Sequence, residues 1–314
     1  MRHGSENIFH TVGFISGALN EEQHVGIALG MDNLIYDAEQ ADYTLLQLNP
    51  YYTLENDNIR LRVGAHVDWQ SANGSGIKAA PDVKLDYTFA DTYVAYLHAT
   101  GGTRLNDFRQ QNEESPYWGV INQMRTSYTP ADLQVGFKAS PLPGLGFHLF
   151  GGYRVTKDEI FHLPGITDTD FPYCYSLLMQ EKAKVGYGGI KAAYGYKDIF
   201  DFSVGGTYYG WNVKDEAKVL LYLKPEFVLD ASARAKVYDE FWISAAYRYE
   251  GRVKAGELEK ADAINNLSLS AGYEFFNSLN VFVRFNNLLN QDYITEAGYP
   301  VQGFNAMAGV SFRF

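Results

Sequence analysis

Hydrophobic and polar residues alternate along most of this chain with a period of two. In the clearest run, Ile59, Leu61, Val63, Ala65, Val67 and Trp69 fall on one side, and Arg60, Arg62, His66, Asp68 and Gln70 fall on the other. Successive side chains of a strand point to opposite faces, so this pattern predicts a strand with one apolar and one polar face. Its length matches the ~9–11 residues of a tilted transmembrane strand and exceeds the usual strand of a soluble protein.

The same alternation recurs from one end of the chain to the other and predicts about fifteen strands. They cover residues 7–19, 24–37, 43–54, 59–70, 81–89, 92–100, 133–140, 145–154, 183–196, 199–212, 225–237, 241–250, 265–276, 279–286 and 304–314. Short turns alternate with longer connections, and the two longest connections are residues 101–130 and 157–182.

Two features favour a membrane barrel over a soluble sandwich, which the alternation alone would also fit. Short and long connections alternate, as they do between the periplasmic and outer ends of outer-membrane barrels. Charged residues also keep to the polar side of their strands, where we expect a wet lumen; Arg or Lys on a lipid face would cost roughly 2–4 kcal/mol each at the membrane midplane. The predicted lumen-facing residues are Arg60, Arg62, His66, Asp68, Asp82, Lys84, Asp86, Arg234, Lys236, Arg248 and Arg284. We therefore predict an all-β fold, an antiparallel transmembrane β-barrel wall of about 14–15 strands.

Composition narrows the function classes. Aromatic residues make up 15% of the chain, which suits interfacial girdles. The net charge of -11, without a basic run, argues against a nucleic-acid partner. No apolar run approaches the ~18 residues of a membrane helix, and the single cysteine, Cys174, excludes an intrachain disulfide. We find no phosphate-binding loop, nucleophile elbow or zinc-protease motif, so we predict neither an enzyme nor a cofactor.

The end of the chain carries a recognisable motif. Residues 286–293 read Asn-Asn-Leu-Leu-Asn-Gln-Asp-Tyr, followed by Gly298-Tyr299-Pro300 and a final Phe312-Arg313-Phe314. This resembles the C-terminus of TonB-dependent outer-membrane receptors. The Ser-Pro-Tyr-Trp loop at residues 115–118 and the turn at residues 140–145 are similar to those of Bacteroidetes-type members. The chain departs from the family at Gln302-Gly303-Phe304, where an Arg usually stands.

The resemblance implies a bacterial outer-membrane receptor barrel that imports a bulky nutrient, whether siderophore, cobalamin or glycan. It implies contact with outer-membrane lipid, with the barrel assembly machinery and, only through a plug domain, with the TonB complex. A passive porin-like channel, or an outer-membrane structural or fragment protein without transport, is the alternative. The sequence does not name the ligand.

An odd strand number leads to a further expectation. The first and last strands then run in the same direction, so the sheet should be open, because closure would require a parallel pair. The first residues also lack the pattern of a signal peptide. We expect residues 1–314 to be a single, partial barrel domain without a plug, part of a 22-stranded barrel; a miscounted strand is the alternative.

Aromatic residues in the two long connections are the predicted substrate contacts, because loops on a rigid scaffold carry recognition. They are Tyr117, Trp118, Phe161, Phe171, Tyr173 and Tyr175. Val310, Phe312 and Phe314 resemble the signal that directs barrel assembly. His66 with Asp68, and Glu113 with Glu114, are solvated polar pairs in our interpretation, and we predict no metal site.

Overall fold

The computed structural model describes residues 5–37, 41–72, 76–115, 117–119, 124–166, 174–275, 278–296 and 299–313. Strands dominate it. They are β1 (Glu6–Ala18), β2 (Gln23–Tyr36), β3 (Tyr43–Glu55), β4 (Ile59–Gln70), β5 (Gly76–Phe89), β6 (Tyr93–Arg104), β7 (Trp118–Gly119), β8 (Ser127–Leu142), β9 (Leu145–Ile166), β10 (Cys174–Tyr196), β11 (Phe200–Asn212), β12 (Pro225–Lys236), β13 (Phe241–Arg252), β14 (Ile264–Phe275), β15 (Leu279–Asn286), β16 (Ile294–Glu296), β17 (Tyr299–Pro300) and β18 (Asn305–Phe312). One α-helix, α1 (Phe108–Glu114), and one 3-10 helix (Asp215–Leu221) lie between strands. No helix in the described ranges is long and apolar enough to cross a membrane.

Fifteen strands form one sheet in chain order, each antiparallel to its neighbours, from β1 to β6, then β8 to β15 and finally β18. Strand β7 adds a short parallel pairing to β10. Among the described residues no ladder joins β1 to β18, so the sheet is open. This confirms the antiparallel wall and the open sheet expected from the sequence.

The two ends of the sheet differ in their connections. At one end, which we call the short-turn end, the links are residues 19–22, 56–58, 90–92, 143–144, 197–199, 237–240 and 276–278. At the opposite, long-loop end, longer links join β2 to β3, β4 to β5, β6 to β8, β9 to β10, β11 to β12, β13 to β14 and β15 to β18. The turn after β5 is tight because Ala90 and Asp91 both adopt positive φ, at 48° and 59°. Such turns match the twist of the strands they join.

One face of the sheet presents large apolar side chains to its surroundings. Leu133 and Val135 on β8, Leu149 on β9 and Ile190 on β10 are each more than half exposed, and Leu149 pairs directly with Ile190. Towards the short-turn end the rings of Phe89, Tyr93 and Phe137 stack with centroids 5.6–6.1 Å apart. Soluble proteins seldom expose continuous apolar surface on this scale, whereas a barrel wall presents it to lipid, with aromatic girdles at the interfaces.

The prediction of a long loop at residues 157–182 is wrong. Strands β9 and β10, of 22 and 23 residues, continue through most of this stretch and form a hairpin that extends past the other strands. A register shift between Glu181 and Ala183 marks where the extension begins, opposite Asp158 with its positive φ of 54°. Ile160 and Phe161 are consecutive and both buried, so the alternation that reveals the other strands is lost here.

Two clusters of buried apolar side chains lie around this hairpin extension. One cluster joins Phe161 and Ala183 to Ala217, Leu220 and Leu221 of the 3-10 helix. A second cluster joins Phe108 of α1 to Trp118, Met124 and Ile160. Segments from two long-loop connections therefore cover the hairpin.

Candidate substrate-binding site at the long-loop end

A cavity of about 240 Å³ lies among the covering segments at the long-loop end. Four separate stretches of chain line it, contributing Ser115, His162, Ser176, Leu220, Leu223, Lys224, Thr295 and Glu296. The lining mixes hydroxyl groups, one imidazole, one ammonium, one carboxylate and two leucines. Residues from the end of α1, from the hairpin and from the loop after β15 meet in this cavity.

Helix α1 delivers Ser115 to this cavity. Asp107 caps its start, because its carboxylate accepts a hydrogen bond from the Gln110 backbone N–H at 2.7 Å. The ring of Phe108, the residue after this cap, is buried. Ser115 ends the helix, with its own N–H donating to the Gln111 carbonyl.

Two contacts join the end of α1 to the loop after β15. The Ser115 hydroxyl donates to Glu296 Oε2 at 3.0 Å. Two residues further on, the ring of Tyr117 stacks on that of Tyr299 with 3.9 Å between centroids. The segment 105–126 also reaches the first strand, since the Phe108 N–H donates to the Glu6 carboxylate at 3.0 Å. We call residues 105–126 the crossing segment, because it contacts both the first strand and the last long loop.

His162 and Ser176 face each other across the hairpin. His162 Nδ1 lies 2.7 Å from the Ser176 hydroxyl oxygen. Ser176 is 1% exposed, and its backbone N–H donates to the Tyr117 carbonyl at 2.8 Å, next to the parallel pairing of β7 with β10. The hairpin wall of the cavity is thereby fixed to the crossing segment by backbone hydrogen bonds.

Lys224 is the lysine among the described residues that line the cavity. Its ammonium lies 5.0 Å from the ring centre of Phe161 and 5.5 Å from that of Trp211, within the range of cation–π attraction. The Val253 N–H donates to its carbonyl and holds the backbone. In the preceding 3-10 helix, the Lys218 ammonium lies 2.7 Å from Asp215, and this hydrogen bond, with the charge of Lys218, lowers the pKa of the Asp215 carboxyl.

Arg252, at the end of β13, ties together two of the lining loops. It is 3% exposed and donates to the carbonyls of Leu223 and Ile294 at 2.5 and 2.9 Å. The Glu250 carboxylate, 2.6 Å away, balances its charge. Sequence reasoning missed this residue, as it missed Lys224, Ser115, Ser176 and Glu296, because their partners come from distant parts of the chain.

The six aromatic substrate-contact candidates separate in the structure. Tyr117 is 46% exposed, beside the cavity residue Ser115. Trp118 is 1% exposed and donates from Nε1 to the Asn112 side chain, and Phe161 is fully buried in strand β9 rather than in a loop. Both rings pack in the covering clusters instead of facing open space. Phe171 and Tyr173 lie outside the described residues, as does the side chain of Tyr175.

The pairing register puts all eleven residues predicted to face the lumen on one face of the sheet, opposite the apolar face. Several of them form pairs. Arg62 bonds Asp82 at 2.6 Å and Asn49 at 2.5 Å, Asp86 lies 3.2 Å from His98, and Arg248 lies 2.9 Å from Asp230. Arg234 covers the Trp242 ring at 4.4 Å. Cross-strand pairs of this kind satisfy charge on a polar wall.

The predicted assembly signal lies on the last strand. Val310 and Phe312 are 67% and 63% exposed on the apolar face of β18, and Phe314 lies outside the described residues. Nowhere in the described ranges do three or more His, Cys, Asp or Glu side chains come together as metal ligands would. Asp68 instead accepts a hydrogen bond from the Thr103 N–H at 2.7 Å.

No family model matches the sequence, and no curated protein matches it. Solved structures do match. The FrpB iron transporter from Neisseria meningitidis superposes with a TM-score of 0.71 at 13% identity, over 98% of this chain and 56% of that one. The ferric enterobactin receptor PfeA from Pseudomonas aeruginosa, in complex with enterobactin, gives 0.72 at 12%, over 98% and 54%. The copper transporter OprC gives 0.68 at 13%, over 98% and 57%.

These matches show the fold, which is the strand wall of a TonB-dependent receptor-like barrel. This agrees with the resemblance read from the last thirty residues. The chain spans about half of the length of the structures it matches.

Proposed function

We propose that this chain forms part of the wall of an outer-membrane importer of the TonB-dependent type, and that the cavity at its long-loop end contacts the substrate outside the cell. The observation that carries the proposal is the combination of an exposed apolar face with a partly open cavity, lined by polar side chains, at the end that bears the long loops. Long loops of such barrels lie on the outer side, where a nutrient is first met.

The covering segments support a receptor rather than a bare pore. A passive channel needs an unobstructed mouth, whereas here the crossing segment spans from the first strand to the last long loop through contacts at Glu6 and Glu296. Solute reaching the wall from outside meets these segments first. In this proposal, coupling to the TonB complex runs through a plug domain, and insertion depends on the barrel assembly machinery.

The test uses the organism that carries the gene. A strain lacking the chain is compared with its parent for uptake of labelled iron, copper, cobalamin and oligosaccharides, each with and without a protonophore. Loss of one uptake in the deletion strain, abolished in the parent by the protonophore, supports an energised importer. Uptake that depends on the chain but resists the protonophore identifies the passive channel instead. Equal uptake of every nutrient by both strains contradicts a transport function.

A further inference from the structure

The lining of the cavity carries information about the charge of its ligand. Lys224 supplies the one ammonium and Glu296 the one carboxylate among the described residues that line it, so these two charges balance. Sites for polyanions such as ferric chelates collect several Arg or Lys side chains around the ligand. The whole chain is acidic, with a net charge of -11, which adds to the bias against anions.

The polar groups of the cavity suit a ligand rich in hydroxyl groups. Ser115, Ser176 and Thr295 can each donate and accept, and the Glu296 carboxylate accepts. Two of these hydroxyls are already oriented, Ser115 by Glu296 and Ser176 by His162. A hydroxyl oxygen that is held in place in this way keeps an unused lone pair, to which a hydroxyl group of a ligand can donate.

Apolar surface completes the lining. Leu220 and Leu223 come from the 3-10 helix and the turn after it, and Leu220 belongs to the buried cluster around Phe161. A pyranose ring has hydroxyl groups around its edge and C–H groups on its faces, so it satisfies both kinds of surface. A charged or purely apolar ligand satisfies only one.

The volume of the cavity also favours a small, ring-sized binding unit. The cavity of about 240 Å³ is smaller than the ~300–1,000 Å³ that pockets for drug-sized ligands occupy. This volume accommodates a ring-sized unit of a ligand whose remainder extends through the open side of the cavity. From charge, hydrogen bonding and size together, we propose that the cavity binds a neutral saccharide unit of a larger glycan, with Glu296 and Lys224 bonding its hydroxyl groups. This proposal rests on the importer function proposed above.

The direct test is binding to the purified chain in detergent, measured by saturation-transfer NMR and calorimetry. The probes are maltotriose, cellotriose, mannotriose and triacetylchitotriose, with ferric tris-catecholate as the anionic comparison. We expect at least one neutral trisaccharide to bind and the chelate not to bind. Glu296→Gln and Lys224→Met should each weaken that binding roughly tenfold or more, as removal of a charged hydrogen-bond partner does. Glu257→Gln and Lys254→Met change exposed residues of the neighbouring loop and should leave affinity unchanged.

A cavity-filling variant keeps the test decisive if a charge variant folds poorly. Leu223→Trp should abolish saccharide binding while every charge remains. Preference for ferric tris-catecholate, unchanged saccharide affinity in all three cavity variants, or binding of none of the probes would each overturn the proposal. The uptake experiment distinguishes failure of the saccharide proposal from failure of the importer proposal. Energised uptake of a non-saccharide nutrient would contradict the proposed ligand class and would still support the importer function.

Discussion

The ring of Tyr117 stacks on the ring of Tyr299 with 3.9 Å between centroids and 19° between planes. Tyr117 belongs to the crossing segment between β6 and β8, and Tyr299 to the loop between β15 and β18. Through this pair and the nearby Ser115–Glu296 hydrogen bond, a loop from the middle of the sheet is attached to its last long loop. The same segment contacts Glu6 on the first strand, so one loop connects regions from both ends of an open sheet.

Removing the Tyr117 ring should loosen this connection. Aromatic pairs contribute about 0.5–1.5 kcal/mol beyond burial, so we expect Tyr117→Ala to raise amide hydrogen exchange of α1 and β7 severalfold. Tyr238→Ala removes a tyrosine at the short-turn end that is 72% exposed, and it is the matched control. Equal exchange in α1 for both variants would show that the stacked pair does not hold the crossing segment.

Phe161, a predicted substrate contact, is expected to stabilise the fold rather than bind substrate. Its ring is fully buried in the cluster beneath the 3-10 helix, so Phe161→Ala should destabilise the long-loop end by about 3–5 kcal/mol, as large-to-small core substitutions do. Urea unfolding in detergent, followed by tryptophan fluorescence, measures the effect. Phe14→Ala changes a ring that is 78% exposed and should cost little. Unchanged stability for Phe161→Ala with lost ligand binding would restore its role as a substrate contact.

Two arginines on the polar face, Arg62 and Arg60, provide a test and its matched control. Arg62 is paired with the buried carboxylate of Asp82 and with Asn49, whereas Arg60 pairs with Glu55 at an exposed site. Arg62→Ala leaves a buried charge without its partner, and we expect a loss of about 1–3 kcal/mol. Arg60→Ala should cost at most about 1 kcal/mol, as is usual for exposed ion pairs. Similar losses for the two variants in detergent unfolding would contradict the pairing described here.

The alternation of residues was sufficient to predict the strands wherever one face meets lipid and the other water, as at Ile59 to Trp69. It failed for Ile160 and Phe161, because these two consecutive side chains are both buried, each in a different apolar cluster. It could not find the Ser115–Glu296 pair, whose members lie 181 residues apart and whose neighbours carry no shared signal. The wall was therefore predictable from local pattern, and the cavity was not, because it is assembled from four distant segments.

The central claim is that the apolar face of this sheet meets lipid while the opposite face does not. Gln134 and Val135 are neighbours on β8, and the side chain of Val135, 53% exposed, lies on the apolar face with Gln134 on the polar one. The most direct test compares Val135→Arg with Gln134→Arg during refolding into phospholipid vesicles, with folded protein read from the far-ultraviolet circular dichroism of the vesicle-bound fraction. Arg on a lipid face near the midplane costs about 2–4 kcal/mol, so Val135→Arg should lower the folded fraction strongly while Gln134→Arg folds like the unmodified chain. Equal folding of the two variants, or stable folding of either without lipid or detergent, would contradict the account.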